Sequence, residues 1–115
     1  MLRLKVHNLT MGVTLAGRAE IAATSATRRR GLLGRTGLER GEGLWIVPCE
    51  AVHGIGMKFP IDVVFLDRKR RVVKVARNLA GWRFAGSWRA HSVLELPCGA
   101  LAAPGDQIEL EKYES

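Results

Sequence analysis

Four kinds of reactive side chain fall within one segment, residues 48–67: the Cys49 thiol, the His53 imidazole, the Met57 thioether and the Asp62 carboxylate. Cys49, His53 and Met57 are spaced by four, which keeps them on one side of a strand and roughly on one side of a helix. Thiol, imidazole and thioether together suit a soft metal such as copper(I) better than magnesium or calcium. Gly54, Gly56 and Pro60 break the periodicity such a site would need, and no CxxC spacing accompanies it. The expectation is therefore that there is no metal and no cofactor. A Cys49 nucleophile with His53 as base is a further possibility, but no oxyanion-hole signature stands beside it.

Asp62 is the sharper anomaly. It sits inside Ile61-Asp62-Val63-Val64-Phe65-Leu66, a run apolar on both faces, as in a central strand covered on both sides. Asp62 shares a side with Val64 and Leu66, so its carboxylate must be paired, hydrogen-bonded or facing a cavity. Glu95, in Val93-Leu94-Glu95-Leu96, repeats the pattern beside Val93. Trp82 and Trp88, next to Arg83 and Arg89 in a glycine-bearing stretch, offer flat and cationic surfaces suited to a small polar or anionic ligand. The expected function is a ligand-binding or interaction domain, with His53, Met57, Asp62, Trp82, Arg83 and Glu95 as the candidate ligand-binding set, read as one cleft at the end of the central strand. The alternative is a small, possibly hydrolytic enzyme with His53 and Asp62 as an acid–base pair.

These residues need a scaffold. The 115 residues suffice for one domain, 1–115, with one core. Residues 2–9 alternate as a half-buried strand, and 13–22 return with an interruption at Ala16-Gly17. Thr24-Ser25 reads as an N-cap for a helix over 26–33, with Leu32 and Leu33 facing the core and Gly34 ending it. Strands follow at 44–47, 61–66, 71–76, 93–96 and 107–111. A surface loop is expected over 77–90 and a short second helix near 99–103. The turn Asp67-Arg68-Lys69-Arg70 lacks glycine and is expected to be long or strained. The fold class is mainly β: a single antiparallel barrel or sandwich-like domain with one or two short helices.

The formal net charge is +7, concentrated in Arg28-Arg29-Arg30 and Arg68-Lys69-Arg70-Arg71. These clusters are far apart in sequence, and neither has a stacking aromatic beside it, so no tight nucleic-acid binding is expected. No run is long and apolar enough for a membrane span. Residues 1–7 alternate charged and apolar groups, unlike a secretory signal, so a cytoplasmic protein with reduced Cys49 and Cys98 is expected. No feature points to a particular protein partner.

Taken in order, Gly31-Leu32-Leu33-Gly34-Arg35, Gly43-Leu44-Trp45-Ile46, His53 with the string from Met57 to Asp67, and Val93-Leu94-Glu95-Leu96-Pro97-Cys98-Gly99 before Gly105-Asp106 resemble the prokaryotic family catalogued as domain of unknown function 192. The likeness covers about residues 18–112. It implies a compact β-rich domain with little helix and no established biochemical role, often preceded by a secretion signal. The chain departs from that pattern at Gly54, where threonine is common, at Cys98, where alanine is common, and at Arg70, where glycine is common.

Overall fold

The computed structural model describes residues 1–115. Nine strands and one helix follow in the order β1 (Leu2–Asn8), β2 (Val13–Ala22), α1 (Ser25–Arg30), β3 (Glu42–Ile46), β4 (Ala51–His53), β5 (Ile61–Leu66), β6 (Val72–Leu79), β7 (Phe84–Gly86), β8 (Ser92–Leu96) and β9 (Ile108–Glu114). Seven strands form one sheet, ordered β6-β5-β8-β3-β2-β1-β9, and β4 and β7 form a separate two-stranded ribbon. All pairs are antiparallel except β2–β3. A parallel pair needs a crossover, and residues 23–41, containing α1, provide it.

The large sheet curls without closing into a barrel. Its two edge strands come together at one end, where Arg71 bridges Gln107 and the Ile108 amide donates to the Arg70 carbonyl at 2.9 Å. Leu4, Val6, Trp45, Val64, Leu66, Leu94, Leu96 and Ile108 fill one side of the sheet. Small residues face large ones there: Leu4 lies opposite Ala19 and Val6 opposite Ala16. Ile61, Val63, Phe65, Leu44, Ile46 and Val93 form a second cluster on the other side, under Leu32 and Ala85. All six β5 residues are therefore buried, because both faces of that strand are covered.

The helix is shorter than the sequence suggests. Thr24 caps it as read, its hydroxyl accepting from the Thr27 amide at 3.1 Å. Gly31 then stops it with φ 50° and ψ −127°, a conformation that favours glycine. The chain leaves the helix there, so Leu32 turns into the core while Leu33 stays exposed. Residues 77–90 are not one loop: β6 runs on to Leu79 and β7 forms within them. No helix forms near 99–103, where the backbone is spent on holding Asp62 instead. Arg70 takes φ 63° in the 67–70 turn, the strain expected without glycine. Two devices offset it: Asp67 Oδ1 accepts from the Lys69 and Arg71 amides at 2.9 Å each, and the Arg70 guanidinium lies over the Trp45 ring, 5.1 Å from its centre.

Asp62 is 1% exposed and fully engaged. Its Oδ2 accepts from Arg77 Nη1 at 2.8 Å, the Gly99 amide at 2.8 Å and the Ala100 amide at 3.1 Å. Its Oδ1 accepts from the Asn78 amide at 3.0 Å. Arg77 also donates to the carbonyls of Ala100 and Ala102. Burial alone raises the carboxyl pKa, but these donors outweigh it and hold the group below the ordinary carboxylate range. Since the folded-state pKa is depressed, the stabilisation is present above the unfolded value and is lost as pH falls through the folded one. Asp62→Ala is expected to destabilise by about 2–4 kcal/mol at neutral pH, because it leaves buried donors unpaired. Denaturant melts at pH 7 and pH 3 check this: the gap between wild type and variant narrows in acid, and a pH-independent gap contradicts the assignment.

Candidate functional site

The face of the sheet opposite Asp62 carries the other anomalous carboxylate. Asp62 pairs in register with Leu96, and Val63 with Glu95, so Glu95 projects with Val63 and Val93 on the side that α1 and the β4–β7 ribbon cover. Glu95 is 6% exposed, and its Oε1 is buried without a hydrogen-bond partner. Only three buried side-chain polar atoms lack partners: Glu95 Oε1, Arg28 Nε and Trp45 Nε1. The first two belong to residues lining one cavity of about 210 Å³, whose walls also include Cys49, His53, Met57 and Leu33.

Local structure explains how the cavity arises. The helix ends at Gly31, whose φ of +50° disfavours a side chain, and a Cβ built there would lie 3.7 Å from Glu95 Oε1, in ordinary contact with the carboxylate. The ribbon supplies the opposite wall through Ala51, Val52 and His53. Its register places His53 opposite Phe84, and Gly54 packs so tightly on Ala80 and Gly81 that a Cβ there would lie 2.5 Å from the Ala80 carbonyl carbon. Glycine at 54, where the family pattern often has threonine, is thus required by this backbone approach. Beneath Glu95, β3 lies close to β8: a Cβ on Gly43 would come within 2.9 Å of Leu96 Cδ2 and 3.3 Å of the Glu95 carbonyl oxygen.

Burial without a partner pushes the Glu95 carboxyl up to about 7. The neighbouring Cys49 thiol is also raised, first by burial and further by the Glu95 and Glu50 carboxylates, against the lowering effects of the Ala51 backbone and Arg28. Its Sγ donates to the Ala51 carbonyl at 3.4 Å. Such a thiol is not an activated nucleophile. Both cysteines are free and stand apart: Cys98 lines a different recess of about 300 Å³ between residues 14–17 and 96–101. Burial and then the Asp62 charge raise the Cys98 thiol as well.

The expected single cleft is therefore divided. Cys49, His53, Met57 and Glu95 come together, and no group of three or more His, Cys, Asp or Glu side chains is placed to hold a metal ion. Asp62 faces the other side of the sheet with all its partners supplied, so no His53–Asp62 acid–base pair forms. Trp82 is 87% exposed and is no wall of the cavity; Arg83 Nη1 donates to the Asn78 carbonyl at 2.7 Å, away from it. Sequence reasoning missed Arg28 and Gly31. The signal available was the helix stop itself, since a glycine that ends a helix early exposes whatever lies beneath the last turn.

Glu95 makes stability depend on pH in the direction opposite to Asp62. Its folded-state pKa is raised from 4.5 to about 7, so the folded state is fully favoured below pH 4.5 and loses stability as pH rises to about 7. The full penalty is about 3 kcal/mol. Glu95→Gln is expected to recover much of it at pH 8 and little at pH 4.5, read as the difference in chemical-denaturation midpoints at the two pH values. A variant less stable than wild type at pH 8 contradicts the reading.

Comparisons with known proteins place the chain in a family. Residues 7–110 match the model of domain of unknown function 192, described as "Uncharacterized ACR". The chain is 34% identical over 117 residues to a UPF0127 protein of Thermococcus sibiricus, covering 93% of this chain and 75% of that one. Among solved structures, a protein of unknown function from Novosphingobium aromaticivorans superposes with a TM-score of 0.79 at 27% identity, covering 93% of this chain and 83% of that chain. A candidate transcription regulator from Sinorhizobium meliloti shares the fold, with a TM-score of 0.80 at 21% identity over 95% of this chain and 92% of that chain. With a family match spanning nearly the whole chain, and the curled sheet shared by solved structures, this protein belongs to the family of domain of unknown function 192.

Proposed function

We propose that this domain binds a small ligand carrying an amine or similar donor nitrogen at one end and an anionic or acceptor group at the other. The carrying observation is the buried Glu95 carboxylate, unpartnered at Oε1 and lining a cavity beside the unpartnered Arg28 Nε. Unsatisfied buried polar groups are costly, and two at one cavity are what a complementary ligand would satisfy. The charge layout supports the polarity of the ligand: a carboxylate on the floor, and Arg28, Arg29 and Arg30 along the rim. Leu33, Met57 and Val52 give apolar walls that fit a short hydrocarbon body.

A second reading rests on the Glu95 titration near neutrality. A carboxyl with pKa about 7 in a cavity can take or give a proton at physiological pH, which is the requirement for a general acid or base. In this form Glu95, rather than a His53–Asp62 pair, would be the catalytic group, with His53 on the same wall.

The test is a calorimetric and thermal-shift screen of amino acids, amino sugars and short amines, which raise apparent stability by mass action if they bind the native state. A cationic nitrogen needs ionised Glu95, so affinity is expected to rise about tenfold per pH unit below 7 and level off above it. Glu95→Gln should weaken binding by about 10- to 100-fold, the loss of one charge-assisted hydrogen bond. If no compound stabilises the protein, or if binding survives Glu95→Gln with unchanged pH dependence, the proposal fails.

A further inference from the structure

The two basic clusters do not stay apart in the fold. Arg28, on the helix, and Arg68, on the β5–β6 hairpin turn, line one depression of about 390 Å³, with His91 and Glu50 between them. On the helix side this depression shares Arg28, Pro48, Cys49 and Glu50 with a wider one of about 650 Å³ that reaches Arg29. On the hairpin side it shares Glu50, Arg68, Ala90 and His91 with a third, of about 580 Å³, bounded by Lys69, Arg89 and Trp88. The three depressions adjoin through these common walls, and together they are called the trough here. Its cations are Arg28, Arg29, Arg68, Lys69 and Arg89; its acids are Glu50 and Asp67.

Two details give the trough a binding character beyond a solvated charged surface. Asp67 is already occupied, its Oδ1 accepting from the Lys69 and Arg71 amides, and both hydrogen bonds hold the hairpin that presents Arg68. Trp88 is 88% exposed at the trough's end, an indole with almost none of its surface packed. Fully exposed tryptophan beside Arg68 and Arg89 is the combination that accepts a flat ring on the indole while guanidinium groups hold neighbouring phosphates. In the fold, Arg28 and Arg68 of the two clusters share one depression, and Trp88 lines the one adjoining it.

We propose that this trough binds single-stranded nucleic acid, with backbone phosphates on Arg28, Arg29, Arg68 and Arg89 and an unpaired base stacked on Trp88. Single strands fit better than duplex because in a duplex each base face is covered by the neighbouring base pair, out of reach of Trp88. An anionic membrane surface offers phosphate groups but no ring to stack. Its occupancy would favour a flat or convex basic face rather than a channel.

Fluorescence anisotropy with a labelled 12-nucleotide single strand and the matching duplex tests the proposal. Four phosphate contacts predict a log–log salt slope of about −3 for the single strand, roughly a 50-fold loss between 50 and 200 mM salt. Arg68→Ala should weaken binding and reduce the slope by about 0.7. Trp88→Ala should weaken single-strand binding at least fivefold without changing the slope, and leave duplex binding unchanged. Glu50→Gln, which removes a repelling carboxylate, should tighten it. Lys112→Glu, on exposed β9 away from the trough, should have little effect; these are surface positions, and thermal melts verify that each variant folds. Binding that is equal for single strand and duplex and insensitive to Trp88→Ala overturns the proposal. So does co-sedimentation with phosphatidylglycerol vesicles, lost on Arg68→Ala, in a protein that binds no oligonucleotide at 50 mM salt.

Discussion

One carboxylate organises the end of the sheet. Asp62 lies in the middle of the fold, yet three of its four donors come from backbone amides: Asn78 on β6, and Gly99 and Ala100 in the chain after β8. Without Asp62 these amides would lose the acceptor that all three share. Arg77 closes the arrangement by reaching past Asp62 to the carbonyls of Ala100 and Ala102. A second knot continues it. The Asn8 side chain donates to the Leu101 carbonyl and to Asp106 Oδ2, which also accepts from the Ala103 amide. Residues 97–106 thus cross the end of the curled sheet as irregular chain because three buried polar side chains, Asp62, Asn8 and Asp106, satisfy their backbone. That is why no helix is needed there.

Asp62 and Glu95 show how one ladder can produce two unlike acids. They are neighbours across β5 and β8, one register step apart, and the pleat sends them to opposite faces. Both are nearly inaccessible. Asp62 meets four donors and is held ionised below the usual range; Glu95 Oε1 meets none, and the carboxyl is pushed to about 7. Burial is common to both, so burial alone does not decide the charge state. Hydrogen-bond donors decide it. The acid that lacks them is the one adjoining a cavity, and its cost to stability is the kind that proteins retain where a site requires it.

Much of this is legible in the sequence. The two carboxylates stood out as charges in apolar strands, and the alternation correctly placed Asp62 with Val64 and Leu66 and Glu95 with Val93. The N-cap at Thr24 and the strain at Arg70 also followed from local chemistry. What could not be read was where separate segments meet. Gly99 lies 37 residues from Asp62, and Arg28 lies 40 residues from Arg68. His53 seemed to belong with Asp62 because they are close in sequence, but β4 leaves the sheet to pair with β7 and carries His53 to the other face. The parallel β2–β3 pair was equally hidden, since a crossover through a six-residue helix carries no periodic signal of its own.

The proposed cavity and trough meet at a common wall. Arg28, Arg29, Ile46, Cys49 and Ala51 line both the Glu95 cavity and the first depression of the trough. Arg28 is the pivot: its Nη1 donates to the Pro48 carbonyl at 3.3 Å, while Nε is buried and unused. A group that recruits Nε from the cavity side must also orient the guanidinium that faces the trough. On the two proposals, occupancy of one region would bear on the charge geometry of the other through this one side chain. Two sites coupled through one side chain influence each other's affinity equally in both directions, as linkage requires. The helix stop at Gly31, beside the cavity, and the arginine triplet before it, of which Arg28 and Arg29 line the trough, are consecutive in the chain. A single short turn of sequence thus shapes both surfaces, and the Asp62 knot on the far face leaves it free to do so.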